Sequence, residues 1–303
     1  MGIFDFAARA ARPDLNAAII TISLSEIFLG SVDLPSPIRT SVRDNQLFGV
    51  ALVLDRQRDS VHPTLLVDRS LVGATGELER IEQFPMLAAV VGSVLGTQSE
   101  WSSRVRVMGI TPFEEQLAPG DVISASKRGT VGCGVQWSNN YGFLTAGHVA
   151  AIGSTVLFGG KQIGSAVYSN DPAGHGLRIE DDAAVVELRS PGAFHRQISG
   201  MGVAGVGDSV SVQSPQVIGN AQIQGYATFF NSPKTNATYG ELYLTYGQVT
   251  QPGDSGAAVL DRQGDIIGHV IGGSPGVFSY IQDIHYQMRM IGSNSSFTGI
   301  RLW

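Results

Sequence analysis

The sequence predicts a small α+β module followed by an all-β domain built from two antiparallel barrels. Glycine accounts for 38 of the 303 residues, nearly twice the usual share, which indicates many tight turns. From Gly129 onward, short alternating or β-branched runs recur roughly every 8–12 residues with glycine between them, as in a sandwich or barrel. Ten candidate strands fall in residues 129–303, which fits two small barrels better than one sheet. They are predicted over 130–136, 141–145, 154–158, 162–168, 183–188, 208–213, 221–228, 241–249, 256–260 and 265–271, and a helix is expected over 281–291 at most.

The first part of the chain mixes helical and strand periodicity. Asp14 is placed to cap an amphipathic helix over residues 15–29, and polar residues inside this stretch favour a helix over a signal peptide. Residues 77–92 fit either a short helix or a strand pair. The remaining pattern predicts strands over 46–54, 64–67 and 103–108. We therefore expect a separate α+β domain over 1–120, with no recognisable chemistry, and a second domain over 129–303.

Composition excludes several classes of function. The chain has 20 basic and 26 acidic residues and a net charge of −6, without a concentrated basic patch, so we expect neither nucleic-acid binding nor attachment to a membrane surface. Its apolar runs are too short for a membrane span. A single cysteine, Cys133, excludes an intramolecular disulfide, and the 6 histidines are scattered. We therefore expect no metal site, no cofactor and a cytoplasmic location.

Three segments bring together the residue types of serine-based nucleophilic catalysis. They are residues 143–149, which contain His148, residues 180–188, which begin with an acidic run, and residues 251–259, which contain Ser255. A serine hydroxyl is inert at neutral pH unless an imidazole takes its proton and a carboxylate orients that imidazole. The three residue types occur along the chain in the order histidine, acid, serine.

These segments resemble the three motifs of the trypsin/chymotrypsin-like serine peptidases. Thr145-Ala-Gly-His148, Asp182 with the following Ala-Ala-Val-Val, and Gly253-Asp-Ser255-Gly carry the resemblance, which covers residues 129–303. It implies two six-stranded barrels with a catalytic triad in the cleft between them, and an oxyanion hole made by the N–H groups of Gly253 and Ser255. The opening of this region, residues 128–133, is also similar to that of bacterial and plant members that carry an extra N-terminal module.

The catalytic acid has two adjacent candidates. Asp182 stands at the head of a predicted strand and matches the family pattern, whereas Asp181 would point to the opposite face because strand side chains alternate. We therefore assign the role to Asp182 and expect Asp181 and Glu180 to cap the strand in solvent.

The substrate pocket is predicted from its position relative to Ser255. Val249 and Thr250 would form its base, and Ile271-Gly272-Gly273 its wall. No acid stands at the base, which disfavours cleavage after lysine or arginine and suggests a neutral, small to medium apolar residue before the scissile bond. His269 could line the pocket of a family member that prefers acidic residues before the scissile bond. Its position along the chain is one residue away from the one such a member requires, so a buried or edge histidine is the favoured interpretation.

Asp254 allows two interpretations. In zymogen-type relatives the acid before the nucleophile pairs with a new N-terminus released by cleavage. The first interpretation is therefore that cleavage at Lys127-Arg128-Gly129, which lies at the predicted domain boundary, releases or activates the peptidase. The favoured alternative is that Asp254 pairs within the chain and needs no cleavage.

Taken together, these residues predict a serine endopeptidase that acts on a protein or peptide substrate. The alternative is a silent or self-cleaving barrel that serves as a regulatory or binding scaffold, because a fold does not guarantee activity. The N-terminal domain is expected to recruit substrate, control access to the cleft, or mediate a homo-oligomer or a regulatory contact.

Overall fold

The architecture was obtained as a computed structural model of the chain. It describes residues 21, 24, 47–55, 60–68, 72, 78–84, 87–88, 91–92, 104–110, 123–189, 198, 200–214 and 218–303.

Strands dominate the described residues. They are β1 (Leu47–Asp55), β2 (Ser60–Asp68), β3 (Glu79–Arg80), β4 (Arg106–Ile110), β5 (Ile123–Ser124), β6 (Arg128–Gly129), β7 (Gly134–Trp137), β8 (Asn140–Thr145), β9 (Thr155–Phe158), β10 (Lys161–Asn170), β11 (Ile179–Glu180), β12 (Ala183–Leu188), β13 (Ser209–Gln213), β14 (Ile218–Ser232), β15 (Ala237–Thr245), β16 (Ala258–Leu260), β17 (Ile266–Ser274), β18 (Phe278–Asp283) and β19 (Arg301–Leu302). A helix, α1 (Ile284–Gly292), follows β18, and short 3₁₀ turns span Ile81–Gln83 and Ser295–Phe297.

The C-terminal barrel is closed. Its strands follow the order β15-β18-β17-β16-β13-β14, and β14 pairs back onto β15. All six pairings are antiparallel. Alternate side chains point inward and fill the interior with a buried cluster that includes Tyr226, Tyr243, Val259 and Ile281. A closed sheet leaves no unpaired edge, so this barrel is a rigid support for the loops that leave it.

The preceding barrel is an antiparallel sheet in the order β19-β7-β8-β12-β10-β9-β5-β6. One buried cluster collects Ile123 from β5, Phe143 from β8, Val156 from β9 and Val186 from β12. Because strands from distant positions in this order share one core, the sheet wraps around its own apolar face. The double barrel predicted for residues 129–303 is therefore confirmed.

A third cluster joins the two barrels. Leu144 and Val185 of the preceding barrel pack there with Ala258 and Ile266 of the C-terminal barrel, and Met288 of α1 completes the contact. Strand ends and loops from both barrels therefore meet along one buried seam, which is where the three candidate segments converge.

The described N-terminal strands extend the sheet of the C-terminal barrel. β14 is 15 residues long; its first part pairs with β13, and its later part pairs with β1, where Val50 faces Phe229. β2, β4 and β3 follow β1 in the same sheet. The division of the chain at residues 120–129 stays a prediction, but the described strands on its two sides hydrogen-bond to each other.

Several predicted elements differ from the structure in extent. The strand expected over 64–67 begins at Ser60, because the preceding residues pair with β1 as far as Asp55. Sequence reasoning missed β18, which lies between β15 and β17, and assigned part of it to a helix over 281–291. Within 77–92 the described residues include both β3 and helical positions. The helix expected over 15–29 lies outside the described residues except for Thr21 and Leu24, which are helical and buried.

Among the residues described, no helix has the length and apolar character needed to cross a bilayer.

Candidate active site

His148 lies in the turn after β8. The preceding Ala146 and the following Val149 are buried in the core of the same barrel, and they anchor the turn on both sides. The side chain of His148 is 0 % exposed. This local packing fixes the imidazole between the two barrels.

Asp182 holds His148 through both of its carboxylate oxygens. Oδ2 lies 2.7 Å from Nδ1 of His148, and Oδ1 accepts the backbone N–H of His148 at 2.9 Å. A carboxylate only accepts hydrogen bonds, so Nδ1 carries a proton, and in the neutral imidazole Nε2 then keeps its lone pair. The structure thus brings together His148 and the predicted acid in the tautomer that a general base requires.

The loop that carries Ser255 docks on the preceding barrel. The backbone N–H of Thr130 donates to the carbonyl of Ser255 at 2.7 Å, and the hydroxyl of Thr130 donates to the carbonyl of Gly253, also at 2.7 Å. At Gly256, where φ is +90°, a Cβ would lie 3.0 Å from the backbone nitrogen of Ala146. The loop therefore lies directly against the segment that ends in His148.

Asp254 pairs inside its own loop and with a neighbouring strand end. Its carboxylate accepts the backbone N–H of Gln251 at 2.7 Å and a short hydrogen bond from the hydroxyl of Ser214. Burial raises the pKa of Asp254. The described conformation corresponds to the internal pairing favoured above, and Arg128 and Gly129 are paired within the β5–β6 hairpin.

The expectation that Asp181 and Glu180 face solvent is wrong. Asp181 is fully buried and accepts hydrogen bonds from Asn170 at 2.7 Å and from the hydroxyl of Tyr168 at 3.2 Å. Glu180 is also buried, and it pairs with Arg178 at 2.8 Å and closely with His175. The acidic run lies in the seam between the barrels, so each of its carboxylates needs its own polar partners.

We expect Asp181 to make stability depend on pH. Burial raises its pKa from 3.8 to about 6, so the folded chain retains a proton that the unfolded chain releases. Stability therefore falls as pH rises through this window, by about 2–3 kcal/mol in total, and the loss is absent in Asp181→Asn. Urea unfolding of both proteins between about pH 4 and pH 7 measures the difference. A difference in unfolding free energy that stays constant with pH would contradict the prediction.

The predicted pocket residues lie along one side of the C-terminal barrel. Thr250 is buried, and its hydroxyl lies 2.8 Å from the hydroxyl of Ser279, which also accepts the backbone N–H of Val249 at 2.9 Å. Ile271 is part of an apolar core cluster. Gly272 and Gly273 pair with β18, opposite Tyr280 and Ser279. The segments predicted as the base and the wall of the substrate pocket are therefore neighbours. The hydroxyl groups of Thr250 and Ser279 link them.

Sequence reasoning missed two glutamines that contact the candidate acid. Gln282 is the next-to-last residue of β18, Gln287 lies in α1, and both are fully buried. Each hydrogen-bonds to the backbone of Asp182. No motif marks them; the only signal is that each amide stands next to a core residue, Ile281 or Met288, where a buried amide needs partners. His269, also fully buried, lies 2.8 Å from Gln287 through its Nδ1.

The chain has the chymotrypsin-like fold of two antiparallel barrels, and its histidine–aspartate pair and glycine-flanked serine lie where the barrels meet. No protein-family model matches the chain, and no curated protein sequence matches it.

Solved structures similar to the chain include bacterial serine proteases. The Nocardiopsis protease is 23 % identical, with a TM-score of 0.47, and the match covers 62 % of this chain and 97 % of that one. Chymotrypsin of Cellulomonas bogoriensis is 21 % identical (TM-score 0.46; 62 % and 98 % covered). Protease A of Thermobifida fusca is also 21 % identical (TM-score 0.45; 62 % and 98 % covered). The fold assignment itself rests on the strand pairing described above.

Proposed function

We propose that this protein is a serine endopeptidase that hydrolyses peptide bonds through Ser255, His148 and Asp182. One observation carries the proposal: Asp182 accepts both N–H groups of His148, at 2.7 and 2.9 Å, beside the loop that bears Ser255. A buried carboxylate that fixes an imidazole in this tautomer is the arrangement that activates a serine hydroxyl.

The proposed reaction passes through an acyl-enzyme. Ser255 Oγ attacks the carbonyl carbon of the substrate while Nε2 of His148 takes the hydroxyl proton, and Asp182 stabilises the resulting imidazolium. His148 then gives this proton to the leaving amine as the peptide bond breaks. A water molecule then attacks the ester carbonyl while His148 takes its proton. As the ester bond breaks, His148 returns this proton to Oγ of Ser255, and the acid is released. These steps need no cofactor.

The negative charge that develops on the attacked carbonyl oxygen must be stabilised by hydrogen-bond donors in the serine loop. We assign this role to the backbone N–H groups of Gly253 and Ser255, in line with the resemblance in the sequence. Gly253 has φ of +100°, a region that glycine adopts without steric cost and that turns its peptide group relative to its neighbours. Each such donor contributes about 3–4 kcal/mol to stabilisation of the transition state.

The substrate is proposed to be a protein or peptide with a neutral residue before the scissile bond. The segment assigned to the base of the pocket offers the hydroxyl of Thr250 and the side chain of Val249, and neither carries charge. A charged lysine or arginine would therefore lose its hydration without gaining an ion pair, which disfavours trypsin-like specificity.

A second candidate is a catalytically silent or self-cleaving barrel that acts as a regulatory or binding scaffold. As whole residues, Ser255 is 0 % and His148 2 % exposed, so the described conformation shields both from solvent. A shielded site favours a barrel that does not hydrolyse an added protein in this conformation.

Intact mass after incubation with a fluorophosphonate separates the two candidates. We expect one adduct on the wild type and none on Ser255→Ala, because the probe reacts only with an activated serine. His148→Ala should also remain unlabelled. The mass of the labelled species additionally shows whether the chain has been cut after Arg128.

An unlabelled wild type that remains folded would contradict the endopeptidase and favour the silent scaffold. A shortened mass without hydrolysis of an added protein would instead indicate self-cleavage alone.

A further inference from the structure

Asp182 lies between two strands and takes no part in the paired ladder of either one. β11 ends at Glu180, and the pairing of β12 begins at Ala183. Its backbone N–H and carbonyl are nevertheless buried with the residue. Buried backbone groups need hydrogen-bond partners, and here side chains from another part of the fold supply them.

Gln282 supplies the acceptor. Its Oε1 accepts the backbone N–H of Asp182 at 2.7 Å. Its Nε2 donates to the carbonyls of Gly240 and Glu180, at 2.9 and 3.2 Å. Because these hydrogen-bond roles are complementary, the amide has one consistent orientation. A side chain of the C-terminal barrel thus holds the chain on the N-terminal side of Asp182.

Gln287 supplies the donor. Its Nε2 donates to the carbonyl of Asp182 at 3.3 Å and to Oε1 of Gln282 at 3.2 Å. The two amides therefore support each other as well as Asp182. Together they form the glutamine clamp, defined here as Gln282 and Gln287.

His269 holds the other end of the clamp, which is the Oε1 atom of Gln287. Since Nε2 of Gln287 faces two oxygen acceptors, Oε1 must be the atom that accepts from Nδ1–H of His269, at 2.8 Å. Nε2 of His269 makes no hydrogen bond among the described residues, and burial lowers the pKa of His269 to about 4. His269 is therefore a neutral donor. Its ring also lies against Gly132, where a Cβ would come within 2.3 Å of Cδ2 of the ring and 2.7 Å of the carbonyl oxygen of Gly256 in the serine loop.

We propose that the glutamine clamp, with His269 behind it, positions Asp182 so that both carboxylate oxygens meet the N–H groups of His148. The clamp belongs to β18 and α1, whereas Asp182 and His148 belong to the preceding barrel. Residues on one side of the seam therefore hold in position the candidate acid on the other side. This role rests on the proposed function, since a positioned acid matters only if His148 acts as a base.

The first test removes each amide at nearly constant volume. Gln282→Met and Gln287→Met lose the hydrogen bonds to Asp182, and Gln224→Met is the matched control. Gln224 is a buried glutamine of β14 that makes no hydrogen bond to Asp182 within the described residues. We expect the fluorophosphonate labelling rate to fall about 10- to 100-fold in the clamp variants, as a small displacement of a catalytic group produces, and to change less than about twofold in the control.

The second test reads His148 directly. In full-length ¹⁵N-histidine protein carrying Ser255→Ala, the Nδ1 proton of His148 should give a downfield resonance that is lost in His148→Ala. Adding Gln287→Met should move this resonance upfield, because its carboxylate partner is less well aligned. A merely structural role would lower stability equally in the clamp and control variants and leave this resonance unchanged, which would overturn the proposal.

A pair of substitutions at His269 tests the outer link. His269→Asn keeps an N–H donor near the position of Nδ1, whereas His269→Leu removes it. We expect His269→Leu to reproduce the shift seen with Gln287→Met, and His269→Asn to recover most of it. Equal effects of the two substitutions would remove His269 from the proposal.

The measurements separate this inference from the proposed function. If the wild type takes up no fluorophosphonate, the endopeptidase proposal fails, and the His148 resonance alone decides whether the clamp positions Asp182. If a methionine variant does not fold, Gln287→Glu takes its place, since it keeps the size and the acceptor for His269 but loses the N–H donors.

Discussion

Ser255→Ala and His148→Ala are each expected to lower kcat toward an unstructured protein substrate by about 10⁶-fold, and the double variant should be no slower than either single one. The reason is that nucleophile and base act as one unit: without Nε2 of His148 the hydroxyl keeps its proton, and without the hydroxyl the imidazole has nothing to activate. The residual rate comes from binding and from the oxyanion donors of the serine loop.

Hydrolysis of fluorescein-labelled casein by the three variants, compared with the wild type, checks this prediction. The unfolding midpoint of each variant serves as the control for folding. Losses that multiply in the double variant would show that Ser255 and His148 act independently, and the proposed triad would then be wrong.

Asp182→Asn is expected to lower kcat by about 10⁴-fold while the fold is kept. Both groups that face Asp182 are donors: the backbone N–H and Nδ1–H of His148, at 2.9 and 2.7 Å. An asparagine offers one acceptor and one N–H₂ group, so one of these two contacts becomes donor against donor. The imidazole relieves the clash by moving its proton to Nε2, which removes the base that Ser255 needs.

Asp181→Asn is the matched control for this substitution. It makes the same chemical change one residue away, at a carboxylate that contacts Asn170 and Tyr168 rather than His148. Measured at about pH 8, where Asp181 is ionised in the wild type, its activity should change less than about threefold. A larger loss in Asp181→Asn than in Asp182→Asn would transfer the catalytic role to Asp181.

Local patterns made much of the site predictable. The residues around His148 and Ser255 carry their own turn chemistry, since Gly253 and Gly256 adopt positive φ in the loop, and short motifs of this kind are readable without the rest of the chain. The strand over 183–188 was predicted with its observed bounds, because a run of apolar residues closed by a leucine is a local signal. The pairing of Asp182 with His148 is the geometry that this order of motifs led us to expect.

Contacts between distant segments were beyond the reach of local pattern. The burial of Asp181 and Glu180 depends on the seam between the barrels, which no feature of the acidic run itself predicts. Gln282 and Gln287 have no motif, and they reach Asp182 only because β18 and α1 lie next to it in the fold. The extension of β14 to pair with β1 likewise arises from the length of one strand and the position of another.

The sequence by itself therefore predicted the barrel class, because turn glycines and strand periodicity act over a few residues. It also predicted the chain order and identity of the candidate histidine, acid and serine, through short motifs that resemble those of a known family. Only the tertiary structure decided which side chains surround the acid, what holds its backbone, and how the N-terminal strands join the sheet. These depend on hydrogen bonds that buried polar groups form with residues up to about a hundred positions away, as between Asp182 and Gln282.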